Sequence, residues 1–155
     1  MFRTMMLTRR FALLALAALL LGGAAVTVAF TSDTPPPDAR ISPAAAQAAQ
    51  DAGELTLVDI RTPREWTETG IPAGAKTADF NALSEDAFIA RIDRLLGRDR
   101  TQPVALVCAR GGRSSRAWSL LVEAGFTQVL DVHEGMLGND AGPGWLARDL
   151  PLEFR

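Results

Sequence analysis

The residues best placed to do chemistry are Cys108 to Ser114, CARGGRS. Cys108 is the only cysteine in the chain, so it forms no internal disulfide and its thiol is available for other work. Gly111 and Gly112 permit backbone angles that other residues avoid, so the loop can curl with successive N–H groups turned inward. A nest of that kind, joined to the N-terminus of a following helix, favours negative charge. Such surroundings favour a thiolate, the form of cysteine that attacks. Arg110 and Arg113 add fixed positive charge beside it. The chemistry read from these seven residues is nucleophilic attack by sulfur from inside a cationic bowl. A cysteine at a strand end is otherwise a small buried hydrophobe, and it is the glycines and arginines after it that favour the nucleophile.

A loop does such work only if rigid elements hold it. Pro103 to Cys108, PVALVC, is apolar throughout, as an inner strand of a parallel sheet should be. It places Cys108 at the strand's carboxyl end, where ligands bind in such sheets. A helix is expected from Ser114 to Ala124, ending at Gly125, and a strand at Val129 to Val132. Upstream, Ser42-Pro43 is a helix start with a serine cap and proline at the first position. Leu55 to Ile60 reads as a strand and Pro63 to Thr69 as a short helix closed at Gly70. Ile71 to Ala75 reads as a turn-rich loop and Ala78 to Phe80 as a short strand. Phe88, Ile92, Leu95 and Leu96 recur at helical spacing after Ser84. Strands alternating with helices predict an α/β domain, a central parallel sheet with helices on both faces.

Before that domain, residues 1–30 carry Arg3, Arg9 and Arg10, then an apolar run from Phe11, then small residues. This is the layout of a signal peptide, cut after Ala25 or Ala29. Phe11 to Phe30 also has the ~20 residues of a spanning anchor, so cleavage and anchoring both stand. Arg9-Arg10 admits twin-arginine export beside general secretion. Either route predicts a periplasmic protein, or one anchored facing the periplasm. Residues 31–40, with three consecutive prolines, read as a tether, and the domain runs from 41 to 155. The chain has 16 basic and 18 acidic residues; without residues 1–30, which hold three arginines and no acid, 13 stand against 18 and the net charge is −5. That balance lacks the basic footprint of a nucleic-acid binder.

CARGGRS resembles the active-site loop of rhodanese-like domains. LVDIRTPREWTETGIPAGA (Leu57 to Ala75), AGFTQVLDVHEGMLG (Ala124 to Gly138) and WLARDLPL (Trp145 to Leu152) are similar to other signatures of that family, in the same order. Glu134-Gly135 stands where the family usually has two glycines, and Gly138 to Gly144 is longer than usual. The resemblance implies a single rhodanese-like domain and a sulfurtransferase acting through a persulfide on Cys108. Its donor would be thiosulfate-like or a persulfide, and its acceptor a small thiol, cyanide or a protein thiol. The N–H groups of Ala109 to Ser114 (Ala109, Arg110, Gly111, Gly112, Arg113, Ser114) would hold the persulfide's charge. Arg113 would fix the loop or attract an anionic donor. Arg110 either guides the donor at the rim or is a solvated surface arginine.

Asp59, Arg61 and Glu65 lie near the carboxyl end of the first sheet strand and are read as support, a salt-bridged network of Arg61, Glu65 and neighbouring backbone. His133 is the only histidine and lies after a different strand, so it is read as structural or exposed. Trp66, Trp118 and Trp145 are packing residues, with Trp145 a candidate for the site's entrance. One Cys and one His do not make a metal site, and no cofactor is expected. A cysteine phosphatase or arsenate reductase would use a similar bowl, but with Cys-x5-Arg around a tetrahedral oxyanion. Cys108 to Arg113 is Cys-x4-Arg, a tighter cup suited to one sulfur atom. A non-catalytic sulfur carrier or partner-docking module is the other reading.

Overall fold

The computed structural model describes residues 34–154; the export segment read at 1–30 lies outside them. Five strands form a parallel sheet: β1 (Arg40–Ile41), β2 (Thr56–Asp59), β4 (Lys76–Thr77), β5 (Val104–Val107) and β6 (Val129–Val132). Their order is β1-β6-β5-β2-β4, so the apolar β5 is central. A separate antiparallel pair joins β3 (Ile71–Pro72) to β7 (Leu152–Glu153). Helix α1 (Pro43–Asp51) starts on the predicted Ser42 cap, and α3 (Glu85–Leu95) on Ser84. Helix α2 (Pro63–Thr69) matches its predicted bounds, and Thr62 and Glu65 close a reciprocal capping box at its start. Helix α4 (Gly112–Glu123) follows β5.

The period-2 alternation of strands divides the core. Val58, Ile60, Val104 and Leu106 pack with Phe88, Ile92, Ala117 and Leu121 of α3 and α4. Leu57, Ala105, Val107 and Val132 pack on the other face with Ala46 of α1, Met136 and Trp145. The sheet is covered on both sides, as expected.

Several boundaries differ from the sequence reading. The tether read at 31–40 gives way to structure before its end, because Pro37–Ala39 form a 3-10 turn and Arg40 pairs with Asp131 at the sheet edge. The segment 71–75 is not loop throughout, because Ile71 and Pro72 find partners in β7. The short strand falls on Lys76–Thr77, not 78–80, although Ala78 N–H still donates to Asp59 O and Phe80 N–H to Ile60 O. Trp145 is fully buried, with its indole N–H on Pro151 O, and cannot line an entrance.

Candidate active site

Strand β5 ends at Val107, so Cys108 is the first residue of the turn and not the last of the strand. Helix α4 begins at Gly112, two residues earlier than predicted, because Gly111 takes a left-handed conformation (φ +86°) and serves as its N-cap. The bowl is therefore a four-residue turn, Cys108 to Gly111, set against a helix N-terminus. Gly112, Arg113 and Ser114 supply the first-turn N–H groups, which have no partner inside the helix.

The Cys108 side chain is buried, at 1% exposure. Gly111 N–H points at Sγ at 3.2 Å, and the Ser114 hydroxyl lies 3.5 Å from it. Ser114 Oγ also donates to Gly111 O at 3.0 Å. The turn is held from outside by the segment after β6. Met136 N–H donates to Cys108 O and Leu137 N–H to Ala109 O, both at 2.8 Å. Asn139 Nδ2 donates to Arg110 O (3.0 Å) and His133 O (2.7 Å). Gly135 sits so close that a Cβ there would lie 2.6 Å from Ala109 O. Arg110 is exposed and donates to Gly138 O at 3.0 Å.

The supporting residues divide into two pairs, which corrects the single network expected. Arg61 and Asp59 are both buried, and the guanidinium reaches Asp59 Oδ2 at 2.6 Å, Gly70 O at 2.6 Å and Thr69 Oγ1 at 2.7 Å. Arg61 meets Glu65 only through its backbone carbonyl, at 3.5 Å. The Glu65 carboxylate instead accepts a two-pronged bond from Arg113, at 2.8 and 2.5 Å. Arg113 thus anchors the start of α4 to α2, the first of its two expected roles. His133 faces Ile41 O through Nδ1 at 3.1 Å, and its ring makes no contact with Cys108 among the hydrogen bonds described.

Sequence reading missed the Asn139 bonds and the Glu134 clamp. Glu134 is buried, accepts from Gly144 N–H at 3.0 Å and pairs with Arg148 at 2.8 Å. It organises the long 138–144 segment that carries Asn139, which accounts for a carboxylate in the usual glycine position.

The Arg113 guanidinium holds the Glu65 carboxyl down to about 2, against an ordinary 4.5, with Thr62 adding to the effect and burial opposing it. A lowered folded value contributes stability above pH 4.5 that is lost as pH falls from there through 2. Glu65→Gln is expected to flatten the acid limb of the stability curve across that window. Its cost at neutral pH should be about 1–2 kcal/mol after solvent screening, measured by urea unfolding at stepped pH.

Fold and site together define a parallel α/β protein with a cysteine turn at the carboxyl edge of its sheet. The chain belongs to the rhodanese-like domain family, which matches residues 42–138. It is 34% identical over 96 residues to the thiosulfate sulfurtransferase GlpE of Pseudomonas fluorescens, covering 62% of this chain and 79% of that one. Among solved structures it is similar to the polysulfide-sulfur transferase homodimer of Wolinella succinogenes (25% identity, TM-score 0.54, 79% and 80% covered). It also shares its fold with a Rhodopseudomonas palustris protein of unknown function described as a possible tyrosine phosphatase (24% identity, TM-score 0.58, 74% and 83% covered).

Proposed function

We propose that this protein is an exported sulfurtransferase that carries sulfane sulfur as a persulfide on Cys108. The carrying observation is a buried thiol touched by the Gly111 N–H inside a turn that opens a helix. The Cys108 thiolate attacks the outer sulfur of a thiosulfate-like donor. The donor's S–S bond breaks, sulfite leaves with the electron pair, and Cys108–S–S⁻ remains. A thiol or cyanide then attacks the outer sulfur and the thiolate is regenerated, giving ping-pong kinetics. Gly111 and the first-turn N–H groups of α4 hold the negative charge in both halves. Arg113 positions the helix start, and Arg110 draws an anionic donor at the rim.

Two features favour sulfur over phosphate. The thiol is covered, so a single terminal atom reaches it more readily than a phosphoester does. Arg113 is committed to Glu65 and is not free to grip a tetrahedral oxyanion. Residues 1–30 would direct this activity to the periplasm, with a small thiol or a protein thiol as the acceptor.

Mass spectrometry of the protein after thiosulfate treatment tests the reading. A gain of one sulfur atom is expected, removed by cyanide and absent from Cys108→Ser. An unchanged mass would overturn it. Loading without catalytic turnover would instead favour a sulfur carrier.

A further inference from the structure

Three successive carbonyls of the active-site turn are held from outside by one segment. Cys108 O and Ala109 O accept from the backbone N–H groups of Met136 and Leu137, both at 2.8 Å. Arg110 O accepts instead from a side chain, Asn139 Nδ2, at 3.0 Å. Any residue but proline could supply the first two ties. The third depends on the identity of residue 139.

That third tie bears on the sulfur through the other end of the same peptide unit. Arg110 C=O and Gly111 N–H share one trans peptide plane, in which they point in opposite directions. The carbonyl rests on Asn139 while the N–H rests on Cys108 Sγ at 3.2 Å. Glycine accepts both signs of φ. The freedom that lets Gly111 cap α4 at φ +86° therefore also lets this peptide turn over. Turned over, it would present a carbonyl oxygen to Sγ and repel a thiolate.

Asn139 is itself firmly placed. Its second amide hydrogen goes to His133 O at 2.7 Å, which ties the turn to the segment leaving β6. Its Oδ1 accepts from Ala141 N–H at 2.8 Å, and its backbone exchanges two hydrogen bonds with Gly142, at 2.9 and 3.1 Å. Although Asn139 is exposed, the side chain is already ordered, so holding the turn costs little further entropy. We propose that Asn139 is a positioning residue for Cys108, keeping the Arg110–Gly111 peptide in the orientation that puts an N–H on sulfur. Its consequence for rate rests on the reading of Cys108 as the sulfur carrier; the placement of the N–H does not.

The test combines kinetics with amide NMR of the full chain. Asn139→Ala removes both donations without adding charge, and Asp140→Ala, at an exposed neighbour, is the control. In Asn139→Ala, kcat for thiosulfate:cyanide transfer should fall about tenfold and KM for thiosulfate should change less than about twofold, as for a contact that serves developing charge and not donor binding. Asp140→Ala should match wild type. The Gly111 amide resonance should move on Cys108→Ser, and that response should shrink several-fold when Asn139→Ala is also present. An undiminished response would overturn the proposal, as would a lost response with unchanged kcat. A fall in kcat with the response intact would mark a merely structural role and overturn it too. If the wild type itself moves no sulfur, the Cys108 reading fails, and the amide response still decides whether Asn139 holds the peptide.

Discussion

Replacing Arg61 by methionine should destabilise the protein more than any change at the thiol. The guanidinium is buried, at 1% exposure, against an Asp59 that has no exposure at all. It also ties together the backbone that ends α2, through Thr69, Gly70 and the Glu65 carbonyl. Removing one partner of a buried pair leaves an uncompensated charge and costs about 3–5 kcal/mol. Total stability is only about 5–15 kcal/mol for a domain, so the loss is a large share of it. Thermal unfolding should show a midpoint lowered by roughly 10–20 °C. Asp59→Asn combined with Arg61→Met should recover part of the loss, because the stranded charge is gone. A midpoint within 3 °C of wild type, on the order expected of a ~1 kcal/mol change, would mean that the pair contributes little.

That pair also marks where sequence reading stops. Strand β5 was legible because six apolar residues in a row, Pro103 to Cys108, suit a strand covered on both faces. The bounds of α2 were legible because Pro63 and Gly70 act locally, one at the first helical position and the other as a positive-φ exit. The turn was legible because its chemistry lies within seven consecutive residues. Pairings between distant segments were not. Arg40 becomes a strand residue only through Asp131, and Ile71–Pro72 only through Leu152–Glu153. Nothing in the composition of either segment announces this. Arg61 has two acids near it in the sequence, and the fold gives it Asp59 while Glu65 pairs with the distant Arg113. Gly111 and Gly112 both read as loop residues, yet one caps the helix and the other begins it. The spacing Thr62-x-x-Glu65 was a local signal for the capping box that went unused.

The difference between those two glycines predicts the largest effect on the proposed sulfur transfer short of losing the thiol. Gly111 has φ +86°, and a Cβ there would run into the His133 carbonyl oxygen, well inside contact distance. Alanine would therefore meet a left-handed backbone penalty of roughly 1–2 kcal/mol and a backbone clash that only movement of the turn relieves. That movement takes away the N–H that touches Sγ. Losing one preorganised donor at a developing charge costs roughly 10²–10³-fold in rate, and Gly111→Ala should lose thiosulfate:cyanide turnover on that scale. The fold should survive, because Gly111 and the His133 carbonyl that it would meet both lie outside the two core clusters. Gly112 is the control: a Cβ there meets nothing within 4 Å, and the position lies inside a helix. Gly112→Ala should keep turnover within about twofold while gaining up to ~1 kcal/mol of stability from a less flexible unfolded chain. Opposite outcomes at neighbouring glycines would tie catalysis to the placement of a single N–H. Equal outcomes would show that the turn tolerates displacement and that the charge is held elsewhere, by the first turn of α4.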